Sequence, residues 1–465
     1  MTPSTEANSS ALRRLVEPSI HRESVEFLLV LGLSVLIFRT FVAEAYVVPT
    51  GSMAPTLLGY HRELTCTFCS FVFPLGMDDE GRSSAPICPN CGETNLRQAP
   101  AIPRDGDRLL VQKYLFELRR PRRWEVIVFQ TPAELDQPFV KRVVGLPGES
   151  VLIFGGDVYI NGAIARKSLE EIRAMRMIVY DNNHLPSDVD RFPRWVPRRG
   201  GFGEFLPSGW TKVDQEFHRS AALDGKPGTD WLLYRHWDPS RPGYGPVRDG
   251  YAYNGTEVQV ENRVTDLMFE GEVAVDSQAR AVKVQISRGM DRFVVTIPTD
   301  HDLPPARLTV ERNGRELPIE ETVGIMPVRG SPLEHPSFHR LEAALVDRRL
   351  MVAMDGRSLF TPIDFDDPIG SGPRSPSPLG LGVDDGAARI RNLKIYRDVY
   401  YTSSITASPT RPHAVEHPYE LGDGEYFVLG DNSPVSNDSR FWLGSPVVRD
   451  EWLVGKPFLV HIPSQ

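Results

Sequence analysis

The chain is organised around the stretch PTGSMAPTLL, which runs from Pro49 to Leu58. Pro49 and Pro55 restrict the backbone on both sides of a serine, and Gly51 allows neighbouring atoms an approach that a Cβ would block. Such a segment holds one hydroxyl, that of Ser52, in a fixed and exposed position. The alternative is an ordinary loop between a helix and a strand, and other segments must decide between the two.

Length and composition narrow the class of protein. The 465 residues are enough for two or three domains, and a hydrophobic content of 41% can build real cores. A formal net charge of −9 argues against a nucleic-acid partner, because no basic face is indicated. The 40 prolines and 38 glycines predict many turns and therefore mostly β structure.

An apolar segment near the amino terminus predicts a membrane anchor. Residues 24–43 would form about 30 Å of helix, enough to cross a bilayer once, with Arg39 close enough to one end to reach the interface. The arginines in the polar tail 1–23 favour a cytoplasmic amino terminus and place the rest of the chain on the extracytoplasmic side of the cell membrane.

Two other interpretations of this segment remain open. One is a cleaved signal peptide, because Ala43-Glu44-Ala45 has the small-x-small pattern of a cleavage site. Cleavage after Ala45 would leave Ser52 almost at the new terminus, a poor place for a rigid site. The other is a buried core helix.

All four cysteines lie in one region, in two C-x-x-C pairs. Cys66 and Cys69 form the first pair, Cys88 and Cys91 the second, and 18 residues separate the pairs. This spacing predicts a zinc ribbon over about residues 62–97, closed by four thiolates and therefore structural rather than catalytic. The alternative is a pair of disulfides, which an extracytoplasmic location would favour.

A second chemical group stands in the stretch FVKRVVGLPGES, from Phe139 to Ser150. Lys141 is flanked by valines in what reads as a buried strand ending in a Gly/Pro turn. The common case is a surface strand whose lysine points to water. The functional case is a lysine whose pKa is lowered from about 10.4 to near neutrality, which needs about 4 kcal/mol of differential desolvation. A neutral amine can take a proton from a serine hydroxyl.

The carboxy-terminal part contains a strand at Tyr426–Leu429 and then a loop rich in turn formers and hydroxyls, Gly430–Trp442. As a polar loop it needs no function. As part of a site it offers a hydroxyl at Ser436 to orient an amine, and an ion pair of Asp438 with Arg440 to fix the loop.

Four segments, in this order, resemble type I signal peptidases, which are membrane-bound serine endopeptidases with a Ser/Lys dyad. They are Ser52–Leu57, Gly106-Asp107, Lys141–Glu149 and Gly430–Arg440. The resemblance covers the anchor and about 150 residues of a β catalytic domain. It departs from the family at Ser433-Pro434-Val435, where many members carry Arg-Asp-Asn, so charged support is removed from that loop.

The resemblance implies a role for each matching position. Ser52 would be the nucleophile and Lys141 the general base, with Ser436 orienting the lysine amine. The Ser52 N–H and the Thr50 hydroxyl would form the oxyanion hole. The scaffold residues would be Arg142, Asp438 and Arg440. The shallow substrate pockets would be lined by Val48, Met53, Leu57, Phe139 and Val140.

The same resemblance implies the reaction and the partners. A preprotein would bind as an added strand between the Tyr46–Thr50 and Phe139–Val143 edges and would be cleaved after small residues at −1 and −3. The expected partners are signal peptides of exported preproteins and the lipid bilayer, with no nucleic acid. No cofactor is needed for this chemistry, and zinc would be structural only.

A large insert occupies the middle of the chain, over residues 182–398. From about residue 247, short alternating strands broken by Gly, Pro and Asn-Gly turns predict a β-sandwich, for example at Val282/Val284/Ile286 and Phe293/Val295/Ile297. Leu345–Gly356 and Arg389–Tyr396 resemble concanavalin-like or laminin-G-like jelly rolls. Such sandwiches often bind glycans or proteins, and a purely structural insert is the alternative.

The predicted protein is mainly β, with one amino-terminal transmembrane helix and an inserted sandwich. The catalytic domain would comprise residues 44–181, including the zinc-ribbon-like insert, and residues 399–465. Two other functions are weighed against the peptidase. A self-cleaving repressor lacks support, because no DNA-binding helix pair is visible. An anchored surface-binding protein with an inert peptidase frame would fit the altered loop at Ser433–Val435, although both Ser52 and Lys141 are present.

Overall fold

The computed structural model describes residues 20–37, 43–78, 80–96, 100–131, 134–186, 193–199, 208–221, 228–238, 241, 243–256, 258, 262–299, 307–320, 328–366, 377–403 and 412–461. Within these ranges the chain is mainly β, as predicted. The helices are α1 Ile20–Ile37, α2 Leu115–Leu118 and α3 Leu169–Met175. Short 3-10 turns cover Gly51–Met53, Ala252–Asn254 and Asp450–Trp452.

The strands fall into three successive groups along the chain. The first group is β1 Ala43–Val47, β2 His61–Thr65, β3 Val72–Gly76, β4 Ala101–Arg104, β5 Arg108–Gln112, β6 Val126–Thr131, β7 Glu134–Gly145, β8 Ser150–Phe154, β9 Asp157–Ile160 and β10 Ala163–Ile164. The second is β11 Met177–Asp181, β12 Trp195–Arg199, β13 Trp210–Val213, β14 Glu216–Arg219, β15 Thr229–Tyr234, β16 Trp237–Asp238, β17 Gly243–Tyr244, β18 Leu267–Val275, β19 Ala281–Arg288, β20 Asp291–Pro298, β21 Thr309–Arg312, β22 Arg315–Leu317, β23 His339–Val346, β24 Arg349–Met354, β25 Arg357–Ser358, β26 Ile363–Asp364, β27 Leu379–Asp384 and β28 Ala388–Arg397. The third is β29 Tyr419–Glu420, β30 Glu425–Leu429, β31 Val448–Arg449 and β32 Leu453–His461.

One antiparallel sheet carries the predicted site, with strand order β1-β5-β32-β6-β7-β30-β31. Its strands come from the first and third groups, so residues on both sides of the long insert build one sheet. Alternation along β6 buries both faces: Ile127 and Phe129 enter one apolar cluster, and Val128 enters the opposite one. A smaller sheet, β10-β9-β8-β29, contains a hairpin whose turn places Asn161 and Gly162 at positive φ.

The cysteine region forms a small unit of its own. Its sheet has the order β3-β2-β4, and Cys66, Cys69, Cys88 and Leu64 are buried in one apolar cluster there. Residue 97, the end of the predicted ribbon at 62–97, lies outside the described residues.

Two antiparallel sheets form the predicted β-sandwich. One has the order β13-β14-β28-β18-β23-β24-β25, with β11 pairing with β28 and β26 with β24; the other has the order β12-β15-β27-β19-β20-β21-β22. The residues predicted to alternate inward, such as Val284 and Val295, are fully buried in the core between the sheets.

The sandwich includes strands well before its predicted start near residue 247. Strands β11 to β15, from Met177 to Tyr234, pair into its two sheets. The sequence there is rich in tryptophan, proline and charge and has no clear period of two, so pattern alone did not identify these strands.

A buried ion cluster joins the insert to the segment between strand β10 of the smaller sheet and helix α3. Lys167, before α3, lies 3.0 Å from Asp347 of the insert and 2.8 Å from Asp398 at the end of the insert. Burial lowers the pKa of Lys167, but the charges of Asp347 and Asp398 outweigh it and raise this pKa well above its usual value.

Helix α1 exposes most of its apolar side chains, including Phe27 and Leu28. The helix overlaps the first part of the predicted anchor at 24–43. Residues 38–42 of that anchor, and residues 1–19 of the predicted tail, lie outside the described residues. In the described part of the chain, no helix has the length and apolar character needed to cross a membrane.

Candidate active site

Ser52 lies on a short 3-10 turn that the neighbouring apolar residues anchor. Met53 and Leu57 are 1% and 2% exposed and pack into one apolar cluster, while Ser52 stays half-buried at the surface. The turn closes through the Ala54 N–H, which donates to the Gly51 carbonyl at 3.1 Å. The segment is therefore fixed, because the apolar side chains that follow Ser52 hold it against the sheet, and Ser52 itself is half-buried rather than exposed as predicted.

Lys141 reaches this serine from strand β7. Its Nζ lies 2.7 Å from Ser52 Oγ, although 89 positions separate the two residues in the chain. The side chain is 4% exposed and its strand pairs with Ile127 of β6. The two residues predicted to form a dyad are thus brought within hydrogen-bond distance.

The environment of Lys141 favours its neutral form. Burial lowers the pKa of Lys141 to about 8; the Asp438 and Asp431 carboxylates oppose this shift, and Arg440 supports it. A neutral amine at this distance can accept the hydroxyl proton of Ser52.

The two other hydroxyls predicted at the site differ in their contacts. The Thr50 hydroxyl donates to Ser52 Oγ at 3.5 Å. Ser436 is fully buried beside Gly430, where an added Cβ would lie 2.1 Å from Ser436 Oγ and 2.5 Å from the Ser52 carbonyl oxygen. Among the described residues, Ser436 Oγ has no hydrogen-bond partner, so the predicted bond from Ser436 to Lys141 is absent here.

Arg142, predicted as a scaffold residue, forms a buried two-pronged ion pair with Asp431. The Arg142 Nε and Nη2 atoms lie 2.7 Å and 2.5 Å from the two Asp431 carboxylate oxygens, and the side chains are 4% and 0% exposed. Thr56 also hydrogen-bonds to Asp431, and Arg142 donates to the Trp124 carbonyl at 2.6 Å. This pair ties the strand that carries Lys141 to the segment that follows Ser52.

The predicted pair of Asp438 and Arg440 is present and fully buried. Arg440 Nε and Nη2 lie 2.9 Å and 2.7 Å from the two Asp438 carboxylate oxygens. Arg440 also donates to Ser433 Oγ at 2.8 Å, and that hydroxyl accepts from the Thr402 N–H at 2.8 Å. Ser433 belongs to the segment that departs from the family pattern, and its hydroxyl supplies the loop with hydrogen bonds in place of charge.

The predicted substrate-pocket residues fall into two groups. Val48, Met53 and Leu57 share one apolar cluster, against which Val140 packs. Phe139 faces the other side of its strand and stacks on Phe129, with ring centroids 5.7 Å apart. Neighbouring residues of a strand point to opposite faces of the sheet. Phe139 and Val140 therefore lie on opposite faces of β7 and cannot both line the same pocket wall.

Two backbone edges lie open near Ser52. Strand β1 is the first strand of its sheet and pairs only with β5 among the described strands. On β7, residues 139–141 pair with β6, whereas β30 pairs on the other side from Arg142 onward. They match the predicted substrate-binding edges only in part. Tyr46 and Val47 of the Tyr46–Thr50 edge lie on β1, and among the described strands the Phe139–Val143 edge is open at residues 139–141 only.

Three residues at the site were not assigned roles from sequence. Asp431 and Asn432 stood in the motif Gly430-Asp431-Asn432 without a stated partner. Asn432 donates its backbone N–H to the Ser52 carbonyl at 3.0 Å and its side-chain Nδ2 to the Gly51 carbonyl at 2.9 Å. Asn254, in the insert, contacts Asn432, and no sequence signal marked it.

The four cysteine sulfurs come together in the ribbon-like unit. All four lie within 4.8 Å of one another, with Cys66 and Cys91 at 3.7 Å and Cys69 and Cys88 at 3.6 Å. Four sulfurs about 2.3 Å from one zinc ion in a tetrahedron would be about 3.8 Å apart, so this set fits zinc. The same distances exceed the roughly 2.05 Å of a disulfide bond.

A protein-family comparison matches the chain in two parts. The family described as "Signal peptidase, peptidase S26" matches residues 99–199 and 389–462, which contain Lys141 and the Asp431–Arg440 segment. The unmatched residues between the parts belong to the insert.

Several curated relatives are signal peptidases. The signal peptidase I of Leptolyngbya laminosa is 28% identical over 215 residues, covering 42% of this chain and 83% of the relative. A probable signal peptidase I-2 of Synechocystis is 30% identical over 157 residues, covering 32% of this chain and 49% of that protein. The signal peptidase I of Aquifex aeolicus is 27% identical over 135 residues, covering 29% and 34%. The chain thus spans half or less of the length of some of these relatives.

Comparison with solved structures gives only weak similarities. A carbohydrate-binding module, CBM66 from Bacillus subtilis, has a TM-score of 0.23 at 13% identity and covers 44% of this chain and 96% of the module. The VIP36 exoplasmic/lumenal domain in its Ca2+/Man2-bound form has a TM-score of 0.27 at 11% identity, covering 48% and 88%. Scores this low establish no shared fold. The family match and the curated relatives together support a type I signal peptidase, a hydrolase of the serine peptidase class.

Proposed function

We propose that this protein removes signal peptides from exported preproteins, with Ser52 as nucleophile and Lys141 as general base. The observation that carries the proposal is the 2.7 Å distance from Lys141 Nζ to Ser52 Oγ, with a lysine that is 4% exposed. A buried lysine loses its proton more easily than an exposed one, and a neutral amine can activate a hydroxyl.

The reaction proceeds in two stages. Neutral Lys141 accepts the Ser52 proton while Ser52 Oγ attacks the scissile carbonyl, and the Ser52 N–H and Thr50 hydroxyl stabilise the resulting oxyanion. The lysine then gives that proton to the leaving amine, the C–N bond breaks and an acyl-enzyme remains. Lys141 then takes a proton from a water that attacks the ester carbonyl and returns it to Ser52 Oγ as the C–O bond breaks, which releases the new carboxylate end and regenerates the Ser52 hydroxyl. Ser436, buried next to the Ser52 main chain, orients the lysine amine in the complex with substrate.

The substrate binds as an added strand between the Tyr46–Thr50 segment and strand β7, along the part of the predicted Phe139–Val143 edge at residues 139–141 that β30 leaves open. The open edges of these strands support this placement. Small side chains at −1 and −3 fit the surface over the cluster of Val48, Met53 and Leu57, because these residues already pack closely and leave little depth.

Residues 24–43 anchor the chain in the cell membrane as a single pass, with the catalytic domain on the extracytoplasmic side. The exposed apolar side chains of α1 support this proposal, because exposed apolar surface of this extent is unfavourable in water. Retention of the chain in the membrane fraction after alkaline extraction, and its loss on deletion of residues 1–43, would test it.

Cys66, Cys69, Cys88 and Cys91 would hold one structural zinc ion in the ribbon-like unit. Zinc there would link the two C-x-x-C turns and leave no position open for substrate. It takes no part in the peptidase reaction.

The test is cleavage of a preprotein carrying Ala-x-Ala by the purified chain in detergent, beside Ser52→Ala and Lys141→Ala. We expect the parent to cleave after the −1 alanine and both folded variants to be inactive. An inert parent on several preproteins, or a variant that keeps its activity, would refute the proposal and favour a surface-binding protein with an inert peptidase frame.

A further inference from the structure

The inserted domain reaches the turn that carries Ser52. Its 3-10 segment Ala252–Asn254 lies against that turn, and Asn254 forms a reciprocal pair of amide hydrogen bonds with Asn432. Asn254 Nδ2 donates to Asn432 Oδ1 at 2.8 Å, and Asn432 Nδ2 donates to Asn254 Oδ1 at 2.7 Å. The two residues are 178 positions apart in the chain.

The same Asn432 amide holds the nucleophile turn. Its Nδ2 also donates to the Gly51 carbonyl at 2.9 Å, and its backbone N–H donates to the Ser52 carbonyl at 3.0 Å. An asparagine amide that rotates by half a turn exchanges its donor for its acceptor. The Gly51 carbonyl, which can only accept, fixes which end of Asn432 donates, and the two hydrogen bonds with Asn254 hold the Asn432 amide in that plane.

Tyr253 closes the other side of the turn. Its ring occupies the space that a side chain at Gly51 would need, since a Cβ there would lie 2.1 Å from Tyr253 Cε1. The Tyr253 hydroxyl donates to the Tyr60 carbonyl at 3.1 Å. Gly51 therefore serves as the contact point between the insert and the nucleophile turn.

The ribbon-like unit that contains the four cysteines holds the insert segment Ala252–Asn254 in place. Ser84 Oγ donates to the Asn254 carbonyl at 2.9 Å, and the Thr256 N–H donates to the Ala85 carbonyl at 3.0 Å. The backbone around Asn254 is thus held in place independently of the contact between its side chain and Asn432. A residue that orients another needs such support.

We propose that Asn254, supplied by the inserted domain, is a positioning residue that orients Ser52 through Asn432, so that the insert contributes to peptide-bond cleavage. This inference rests on the proposed peptidase function. Asn254 does not touch the reacting atoms; its effect on the rate passes through the Asn432 amide to the Gly51 and Ser52 carbonyls.

The test is steady-state cleavage of the Ala-x-Ala preprotein by the full chain and by Asn254→Ala. We expect kcat to fall roughly tenfold to a hundredfold, because a small displacement of an attacking group is enough for such a loss. KM should stay within about twofold of the parent value, since a group that acts only on the attack leaves substrate binding unchanged. Asn254→Asp, of equal volume, should also lower kcat, because it loses the donor to Asn432 Oδ1.

A matched control and a double variant separate positioning from general destabilisation. Asn262→Ala removes another side-chain amide of the insert, one that donates to Asp249 at 2.7 Å, and should keep the parental kcat. In an Asn432→Ala background, Asn254→Ala should have no further effect, because its route to Ser52 is already cut.

The outcomes distinguish the two proposals. With an active parent, the positioning role is wrong if either Asn254 variant keeps the parental kcat. It is also wrong if Asn254→Ala still lowers kcat in the Asn432→Ala background. In both cases the peptidase proposal stands. If the parent itself is inert, both proposals fail together.

Discussion

Replacing Lys141 by methionine should change how the stability of the protein depends on pH. In the folded chain, burial lowers the pKa of Lys141 from 10.5 to about 8, and unfolding restores the higher value. Between about pH 8 and pH 10.5 the unfolded chain therefore binds more protons than the folded one, and the stability rises with pH in this window. Below it, the cost of burying the charged amine is present in full.

The magnitude follows from the size of the shift. A difference of about 2.5 pKa units corresponds to about 3 kcal/mol, at 1.36 kcal/mol per unit. The Lys141→Met variant lacks the titrating amine, so its stability does not gain this contribution at high pH. The free energy of unfolding of the variant minus that of the parent should therefore fall by about 3 kcal/mol as the pH rises from about 7 to about 11.

Urea unfolding in detergent, at a series of pH values, measures this difference. The matched control is Lys394→Met, which removes a one-third-exposed lysine near Asp181 and leaves Lys141 in place, so it should keep the parental rise. The preprotein assay supplies a second readout: the rate should climb about tenfold from pH 7 to pH 9 and then level off. A stability difference that stays constant with pH, together with a rate that still climbs tenfold per pH unit near pH 10, would refute a lowered Lys141 pKa.

Three further outcomes follow from the described contacts. The purified chain should contain about one zinc ion, and Cys88→Ser should abolish its binding and lower the Tm; two disulfides per chain, detected by mass spectrometry without reduction, would contradict this. Asp431→Ala should lower the free energy of unfolding by about 3–5 kcal/mol, because it leaves Arg142 buried without its partner. The exposed Asp423→Ala should change it by under about 0.5 kcal/mol, and equal losses would show that the buried pair has no special weight. Ser433→Ala should cost about 1–3 kcal/mol in urea unfolding, because the Thr402 N–H and Arg440 lose an acceptor, and no loss would mean that the loop does not depend on this hydroxyl.

The sequence by itself predicted several features of the local structure. Alternating residues such as Val282/Val284/Ile286 marked strands whose inward side chains are fully buried. The two C-x-x-C pairs predicted the cluster of four sulfurs. These features could be predicted because periodicity, turn preference and ligand spacing depend on residues that lie close together in the chain.

The approach of Ser52 to Lys141 was predicted from the order of motifs rather than from any local pattern. The structure places the two atoms at hydrogen-bond distance, while their roles in catalysis, the zinc ion and the membrane anchor stay predictions. The strands between Met177 and Tyr234 were missed, because tryptophans, prolines and charged residues there hide the alternation of apolar and polar residues. These segments form strands because they pair with β27 and β28 of the sandwich or with strands that do so.

Only the tertiary structure decided what supports the site. The pairing of Asp431 with Arg142, the replacement of charge by the Ser433 hydroxyl, and the contact of Asn254 with Asn432 join residues far apart in the chain. A sequence specifies which groups can donate and accept, but the partner that each finds depends on how the sheets and the insert pack. For this protein the residues that react stand in recognisable motifs, and a residue that holds the nucleophile turn comes from a domain that those motifs do not include.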